Sequence, residues 1–374
     1  MKFTIDTQTL SGELFKLQGV VSTKTTMPIL SNALIDVEPD GTIRLHATDM
    51  ELSLSCHVRG EVARPGRAAV RAKDLYEAVK NLRSPTVTIE REDSMSLAIT
   101  AGTVRARLVG MDPIDFPKLQ SADDVQFISL PIGKLVRMID RTLFSVSTDE
   151  GRPNLNGALL KAEADRVLMV STDGHRLSKM ELEMQLAEIP APLVEGVIVP
   201  RKALSELRRT VDLTDEIIGV GVANANAVFR HGNTTMFAKF IDGTFPSFRS
   251  VMPVEKEDRR AIVDRQTLMS RIKFVSLFAN SKTYNLSLKM EDGACTISAQ
   301  DPDKGECQET VPVTYSGPSV KAGYNYKYLL DVLSVVDTEQ VSIEVIDTLL
   351  PTVLHEIASE GDEQSLFIVM PMRL

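Results

Sequence analysis

Apolar residues along the chain follow two kinds of spacing, and both kinds return in each third of the sequence. Leu10, Leu14, Leu17 and Val21 follow one another at intervals of three or four residues, which is the spacing of one helix face. The same spacing recurs at Leu135, Met138, Ile139 and Val146, and at Leu268, Ile272 and Val275. Each third is therefore predicted to open with an amphipathic helix.

Strand patterns come after each of these helices. Leu52, Leu54, Cys56 and Val58 alternate with polar residues, as they do in a strand that buries one face. Pro39-Asp40-Gly41 lies between two apolar runs and predicts a hairpin turn, and Glu291-Asp292-Gly293 stands at the matching place in the last third.

A second helix is predicted in each third, and a Lys-x-Leu sequence marks its start. The three copies are Lys73-Asp74-Leu75, Lys202-Ala203-Leu204 and Lys327-Tyr328-Leu329. Further strands are predicted over 86–90, 95–110, 217–241 and 341–369. Two helices and about eight strands per third give an α+β unit.

Short sequence markers repeat at an interval close to a third of the chain. Ala47-Thr48-Asp49 returns as Ser171-Thr172-Asp173 and, more loosely, as Ala299-Gln300-Asp301, while Phe116-Pro117 returns as Phe245-Pro246. This period is the length of a domain and too long for a solenoid repeat. The sequence therefore predicts three similar domains, over residues 1–122, 123–250 and 251–374.

The distribution of charge changes what the net charge suggests. The chain carries −9 overall, which argues against a nucleic-acid partner, yet the six predicted helical segments together carry +12 and the remainder −21. A shared basic face would attract phosphate without regard to base sequence. The alternative is that the charged helix residues only keep the surface soluble.

Composition excludes several other classes of protein. Cys56, Cys295 and Cys307 are scattered, which fits reduced thiols, and neither they nor the five histidines have the spacing of metal ligands. No apolar run is long enough to span a bilayer, and the N-terminus lacks a signal peptide's apolar core. We expect a cytosolic protein with no metal, no cofactor and no membrane association.

One polar cluster has residue types that could act in catalysis. In Thr172-Asp173-Gly174-His175-Arg176-Leu177, His175 could be a general base oriented by Asp173, which would make the protein a hydrolase. However, residues two apart in one turn rarely face each other, and no nucleophile elbow accompanies them. A structural or binding turn is the preferred interpretation.

The C-terminus ends on apolar residues, whereas a free terminus is ordinarily polar. Ile368 and Val369 suit a final strand packed on the core, but Met370 and Met372, which flank Pro371, have no such explanation. Methionine adapts to several partners and is common on promiscuous binding surfaces. The tail is therefore a candidate wall of a hydrophobic binding groove.

The whole chain resembles the β sliding clamps, the processivity subunits of bacterial replicative DNA polymerases. The resemblance rests on residues 1–4, Met27-Pro28-Ile29-Leu30, residues 173–177, Ile198-Val199-Pro200-Arg201-Lys202, Thr314-Tyr315-Ser316-Gly317 and residues 369–374. It implies a non-catalytic homodimer whose six domains close head to tail around double-stranded DNA. It also implies a clamp loader and, as partners, the replicative polymerase subunit and other replication and repair proteins.

The resemblance also implies functional residues. The partner-peptide groove would use Leu155, Thr172, Gly174, His175, Arg176, Leu177, Pro246, Val251, Val369, Met370, Pro371 and Met372. DNA contacts would fall on Lys24, Arg201 and Lys202, and the dimer interface would use Leu108 of one subunit and Leu277 or Phe278 of the next.

Three features of the chain depart from the family pattern. Ser250 stands where many members have an arginine, Pro153-Asn154 replaces an aromatic pair, and Ala106 is smaller than the usual aromatic residue at the interface. These changes bear on peptide affinity and dimer strength.

Overall fold

The computed structural model describes residues 1–22, 25–92, 95–214, 216–252, 259–357 and 361–373. The α-helices in these residues are Thr7–Leu17 (α1), Ala72–Lys80 (α2), Ile132–Thr142 (α3), Ala191–Glu195 (α4), Arg201–Thr210 (α5), Arg265–Val275 (α6) and Tyr326–Val335 (α7).

The six helices predicted from apolar spacing are confirmed, and α4 is an addition. In α2, α5 and α7 the lysine of the Lys-x-Leu sequence is the second helical residue. Helices α1 and α6 begin alike, because Asp6 accepts a hydrogen bond from the Thr9 amide and Asp264 accepts one from the Thr267 amide. Helix α4 has five residues, too few for a periodic pattern to reveal it.

The strands of the first third are Lys2–Asp6 (β1), Asn32–Val37 (β2), Thr42–Thr48 (β3), Leu52–Arg59 (β4), Glu61–Arg64 (β5), Gly66–Arg71 (β6), Thr86–Arg91 (β7), Leu97–Ala101 (β8), Val104–Leu108 (β9) and Gly110–Met111 (β10). Those of the second are Phe127–Pro131 (β11), Gly157–Glu163 (β12), Arg166–Thr172 (β13), Arg176–Glu183 (β14), Val197–Pro200 (β15), Ile217–Ala223 (β16), Asn226–His231 (β17) and Thr234–Lys239 (β18). Those of the third are Arg260–Asp264 (β19), Asn285–Glu291 (β20), Ala294–Asp301 (β21), Gly305–Pro312 (β22), Val320–Asn325 (β23), Gln340–Glu344 (β24), Thr352–Glu356 (β25) and Glu363–Val369 (β26).

Both predicted hairpins are confirmed. Strands β2 and β3 pair antiparallel around Pro39-Asp40-Gly41, and β20 and β21 pair around the Asp292-Gly293 turn. Strand β4 buries every second residue, as its alternation predicts. The fold class is α+β with antiparallel sheets, as the sequence predicts.

The strands form four sheets, and the middle third contributes to two of them. A nine-stranded sheet has the order β10-β6-β2-β3-β4-β18-β17-β16-β11, and an eight-stranded sheet has the order β15-β12-β13-β14-β26-β25-β24-β19. Smaller sheets have the orders β5-β1-β7-β8-β9 and β22-β21-β20-β23. The β4–β18 and β14–β26 pairs therefore join neighbouring thirds by backbone hydrogen bonds.

The chain forms two compact units that follow these larger sheets. The first unit holds residues 1–133 and 202–240, and the second holds residues 134–201 and 241–374. In the second unit, one buried cluster lies around the β13–β14 hairpin and the last strand, formed by Leu159, Leu168, Val170, Leu177, Ile198, Phe245 and Ile368. This cluster underlies the site described next.

Candidate functional site

The turn between β13 and β14 is held in shape by its own side chains. The hydroxyl of Thr172 accepts a bond from the Gly174 amide at 3.0 Å and donates one to the carbonyl of Arg176 at 2.6 Å. Asp173 Oδ1 accepts from the amides of His175 and Arg176, at 2.9 and 3.1 Å. Gly174 has a φ of +90°, a conformation that glycine adopts without strain.

The side chain of Arg176 is fixed at the end of this turn. Its Nε donates to Asp173 Oδ2 at 3.0 Å, one Nη donates to Asp331, and the other donates to the carbonyl of Phe144 at 2.6 Å. The guanidinium also lies 4.5 Å from the ring centre of Tyr328. Only 11% of the side chain is exposed. Its positive charge is paired within the protein, with the carboxylates of Asp173 and Asp331.

The C-terminal segment lies alongside the turn. After Val369, which is fully buried, the amide of Met370 donates to the carbonyl of His175 at 2.9 Å. The amide of Met372 then donates to the carbonyl of Gly323 at 2.7 Å. These two bonds hold the tail in place while 36% of Met370 stays exposed.

A largely apolar cavity of about 280 Å³ lies between the turn, the tail and the segment after Phe245. It is lined by Arg152, Leu155, Thr172, Gly174, Arg176, Leu177, Pro246, Ser247, Phe248, Ile368 and Met370. We call this cavity and its lining the groove. Leu155, Leu177 and Ile368 are buried, so the floor of the groove is continuous with the core.

The structure brings seven of the twelve predicted groove residues to this lining: Leu155, Thr172, Gly174, Arg176, Leu177, Pro246 and Met370. His175 instead lines an adjoining polar cavity and stacks on Tyr328. Val369 is in the core, Pro371 and Met372 lie beyond the lining, and the side chain of Val251 is outside the described part of the structure.

Four residues of the lining are additions to the predicted set: Arg152, Ser247, Phe248 and Ile368. Ser247 and Phe248 directly follow the repeated Phe245-Pro246 marker, and that marker could have been used to predict them. Arg152 precedes Pro153-Asn154. Tertiary packing brings it to the turn between β13 and β14, and the spacing of residues along the sequence could not have predicted this.

Two of the three predicted DNA contacts, Arg201 and Lys202, are the first two residues of α5. Arg201 donates to the carbonyl of Val146 at 3.0 Å, and Lys202 donates to the carbonyl of Val20 at 3.2 Å and pairs with Asp49. Lys202 keeps 46% of its side chain exposed. Lys24 lies outside the described residues.

Part of the positive charge on the helices is already paired with acids. In α3, Lys134 pairs with Asp362 and Glu363, and Arg141, which is buried, pairs with Glu356 at 2.6 Å. The helices therefore offer phosphate fewer free cations than their net charge suggests.

The predicted interface residues lie near two sheet edges. Leu108 is the last residue of β9, which is the edge of its five-stranded sheet. In the second unit, Leu277 is 64% exposed, whereas Phe278 packs partly against the core.

A metal site and a membrane-crossing helix are both missing from the part of the chain that the structure describes. Within the described residues, no group of three or more His, Cys, Asp or Glu side chains is arranged to hold a metal ion. Across the same residues, none of the helices has the length and apolar character that crossing a membrane requires.

The fold and the groove together define a partner-binding scaffold built from repeated α+β domains. The N-terminal, central and C-terminal domain models of the DNA polymerase III beta subunit match residues 1–120, 129–247 and 249–373. The chain belongs to this family, the bacterial β sliding clamps.

Individual relatives agree over the full length. The β sliding clamp of Pseudomonas aeruginosa is 34% identical over 375 residues, with 100% of both chains covered. A crystal structure of the DNA polymerase III subunit beta from the same organism has a TM-score of 0.91 at 33% identity, again covering 100% of both chains. A crystal structure of a Pseudomonas aeruginosa sliding clamp bound to griselimycin has a TM-score of 0.91 at 34% identity, with the same coverage.

The chain is therefore a DNA sliding clamp of three clamp domains, a non-catalytic processivity factor of DNA polymerase III. The alternative of a hydrolase built on Asp173 and His175 is wrong. Asp173 Oδ1 accepts hydrogen bonds from the amides of His175 and Arg176, and Asp173 Oδ2 accepts one from the guanidinium of Arg176. The carboxylate therefore shapes the turn.

Proposed function

We propose that two copies of this chain close head to tail into a ring around duplex DNA, and that the groove of each copy receives partner proteins. The domains would be residues 1–122, 123–250 and 251–374, and the ring would act in the cytoplasm, at the nucleoid during replication. The single observation that carries the partner-binding role is the apolar groove, which is open beside the C-terminal segment.

The groove suits a short peptide segment with apolar side chains. Its floor is apolar, and the charge of Arg176, whose side chain is 11% exposed, is already paired with the carboxylates of Asp173 and Asp331. The partners would be the replicative polymerase subunit, the clamp loader, and other replication and repair proteins that carry such a segment. Griselimycin, to which a Pseudomonas aeruginosa sliding clamp is bound in a crystal structure, would occupy the groove in this chain.

The outer edges of the two smaller sheets suit the ring interface. Strand β9 exposes Arg105 and Arg107, and strand β22, at the edge of its four-stranded sheet, carries Glu306 and Glu309. An edge strand has unpaired backbone groups that can bond to a second chain. Opposite charges on the two edges favour heterologous pairing, which closes into a ring when the rotation fits.

The DNA contacts would be electrostatic and independent of base sequence. Lys24, Arg201 and Lys202 are the basic residues that we assign to them. Such contacts weaken as salt rises, because phosphate binding releases counterions.

Retention on closed circular and linear DNA tests the ring. After loading with clamp loader and ATP, the protein should stay on a closed circle and be lost once the circle is cut, because a ring slides off a free end. Equal retention on both forms would contradict encirclement.

The interface is tested by substituting its apolar residues. Leu108→Asp or Leu277→Asp should convert the dimer to a monomer in sedimentation velocity, because a carboxylate would be buried at the contact. Val194→Asp is the matched control, since Val194 is also exposed and apolar but lies on α4. Dimers in all three variants would contradict this interface.

A further inference from the structure

The arginine in the wall of the groove is held from the third repeat. Asp331 and Tyr328 are three residues apart on α7, which places both on one face of that helix. Asp331 accepts a bond from Arg176, and the Tyr328 ring lies 4.5 Å from the guanidinium. Phe144 adds a second ring at 5.2 Å and a carbonyl acceptor.

Neither Asp331 nor Tyr328 lines the apolar groove. Both line the adjoining polar cavity of about 530 Å³, together with Phe144, Asp173 and His175. Arg152 and Arg176 line both cavities. Of these two, Arg176 is the one that bonds to Asp331 and lies over the ring of Tyr328, so it links both residues to the groove.

The bonds to Arg176 decide what the groove presents to a ligand. Three different nitrogens of the guanidinium donate to three different acceptors, two of which are carboxylates. A planar guanidinium fixed in this way cannot turn to offer its charge to a ligand. The rest of the Arg176 side chain, its methylene stem, is apolar.

We infer that Asp331 and Tyr328 are positioning residues, which hold the side chain of Arg176 as a neutralised, apolar-faced wall of the partner groove. This inference rests on the proposed function of the groove. Without Asp331, the guanidinium loses one of its two carboxylates and its hydrogen bond to α7. It can then rotate, and its freed charge makes the wall less suitable for apolar side chains.

The test is a double-mutant cycle in affinity for griselimycin, measured by calorimetry on the full-length protein. Asp331→Asn, which keeps the shape of the side chain, should weaken binding by about tenfold. In the background of Arg176→Ala the same change should have no further effect, because the residue it positions is gone. A general structural role would weaken binding in both backgrounds.

Two further variants separate positioning from loss of fold. Tyr328→Phe keeps the ring and should bind as the unmodified chain does, whereas Tyr328→Leu should bind less tightly. Asp337→Asn is the matched control: Asp337 also pairs with an arginine of the second unit, Arg141, and should leave affinity unchanged. The thermal midpoints of all variants should stay close to that of the unmodified chain.

The outcomes distinguish this inference from the function on which it rests. If the unmodified chain fails to bind griselimycin, the proposed groove ligand and the positioning role both fall. If it binds, and Asp331→Asn either has no effect or acts equally without Arg176, only the positioning role is overturned.

Discussion

The hairpin turns after β3 in the first repeat and after β13 in the second are built from the same hydrogen bonds. In the first, Thr48 accepts from the amide of Met50, and Asp49 Oδ1 accepts from the amides of Glu51 and Leu52. In the second, Thr172 and Asp173 accept from the amides at the same three offsets. The repeated Thr-Asp pair is therefore a device for shaping a turn.

The two turns differ in what the second carboxylate oxygen of the aspartate binds. Asp49 pairs with Lys202, which lies at the start of α5 in the second repeat. Asp173 pairs with Arg176 of its own turn, and Arg176 in turn reaches Asp331 on α7, the counterpart of α5 in the third repeat. Both turns thus contact the second helix of the next repeat, through different ion pairs.

The path of the chain beside each turn also differs. After β18, next to the first turn, the amide of Phe240 donates to the carbonyl of Ala225. After β26, next to the second turn, the amides of Met370 and Met372 donate to the carbonyls of His175 and Gly323. These two bonds hold Met370 in the lining of the groove.

The largest expected effect follows from removing the segment that carries Met370. Deletion of residues 370–374 should weaken griselimycin binding by at least about 100-fold, because an anchor and part of the wall are removed together. Val369 remains, so the last strand keeps its buried residues and the fold should persist. Calorimetry gives the affinity and circular dichroism the fold.

A methionine of the first repeat provides the control for the deletion. Met27 is exposed to a similar degree as Met370, and Met27→Ala should bind griselimycin as the unmodified chain does. Undiminished binding after the deletion would show that residues 370–374 do not contribute to the ligand site.

Among the differences between the strands that lead into the two turns, one buried position should make the first unit sensitive to acid. His46 of β3 corresponds to Val170 of β13, and burial lowers the pKa of His46 from 6.5 to about 4. The folded state therefore binds this proton less readily than the unfolded state does. The stability that His46 contributes is complete above pH 6.5 and is lost as the pH falls toward 4, by roughly 3 kcal/mol in total.

Substitution by the counterpart residue checks this pH dependence. His46→Val should abolish that part of the pH dependence, measured by urea unfolding at pH 7.5 and 4.5 and by hydrogen exchange of β3 amides. An equal loss of stability in both proteins would assign the acid sensitivity to other groups.

Local patterns in the sequence predicted the elements and the short hairpins, but not how strands of different repeats pair. The alternation in β4 and the stripe of α1 are local, because burial of one face imposes a period on neighbouring residues. The β4–β18 pair joins residues more than 170 positions apart, and nothing in either strand specifies its partner. The Arg176–Asp331 ion pair was missed for the same reason.

Substitutions at the tips of the two turns should change the stability of the protein in opposite directions. Gly174 and Met50 occupy the same position, with φ of +90° and +80°, and only glycine adopts this conformation without strain. Gly174→Ala should cost about 1 kcal/mol, and Met50→Gly should stabilise the protein by up to about 1 kcal/mol.

The two substitutions should also differ in their effect on the groove. A Cβ at residue 174 would lie 2.7 Å from an Nη of Arg152, a groove residue, so Gly174→Ala should also weaken griselimycin binding by several-fold. Met50→Gly should leave it unchanged. Thermal unfolding and calorimetry measure both effects, and a groove effect of Met50→Gly would mean that the two turns are coupled.

The smallest effect concerns the ion pair at the first turn, and it separates a structural role for Lys202 from a role in DNA binding. Its side chain is about half exposed, so Lys202→Gln should lower the unfolding free energy by less than about 1 kcal/mol. If Lys202 also binds phosphate, the substitution should reduce the slope of log affinity against log salt concentration by about one for each phosphate that the side chain neutralises. Asp49→Asn removes the same ion pair but leaves Lys202 charged, so it should match the stability loss without reducing the slope. Equal slopes for Lys202→Gln and Asp49→Asn would assign Lys202 to the turn alone.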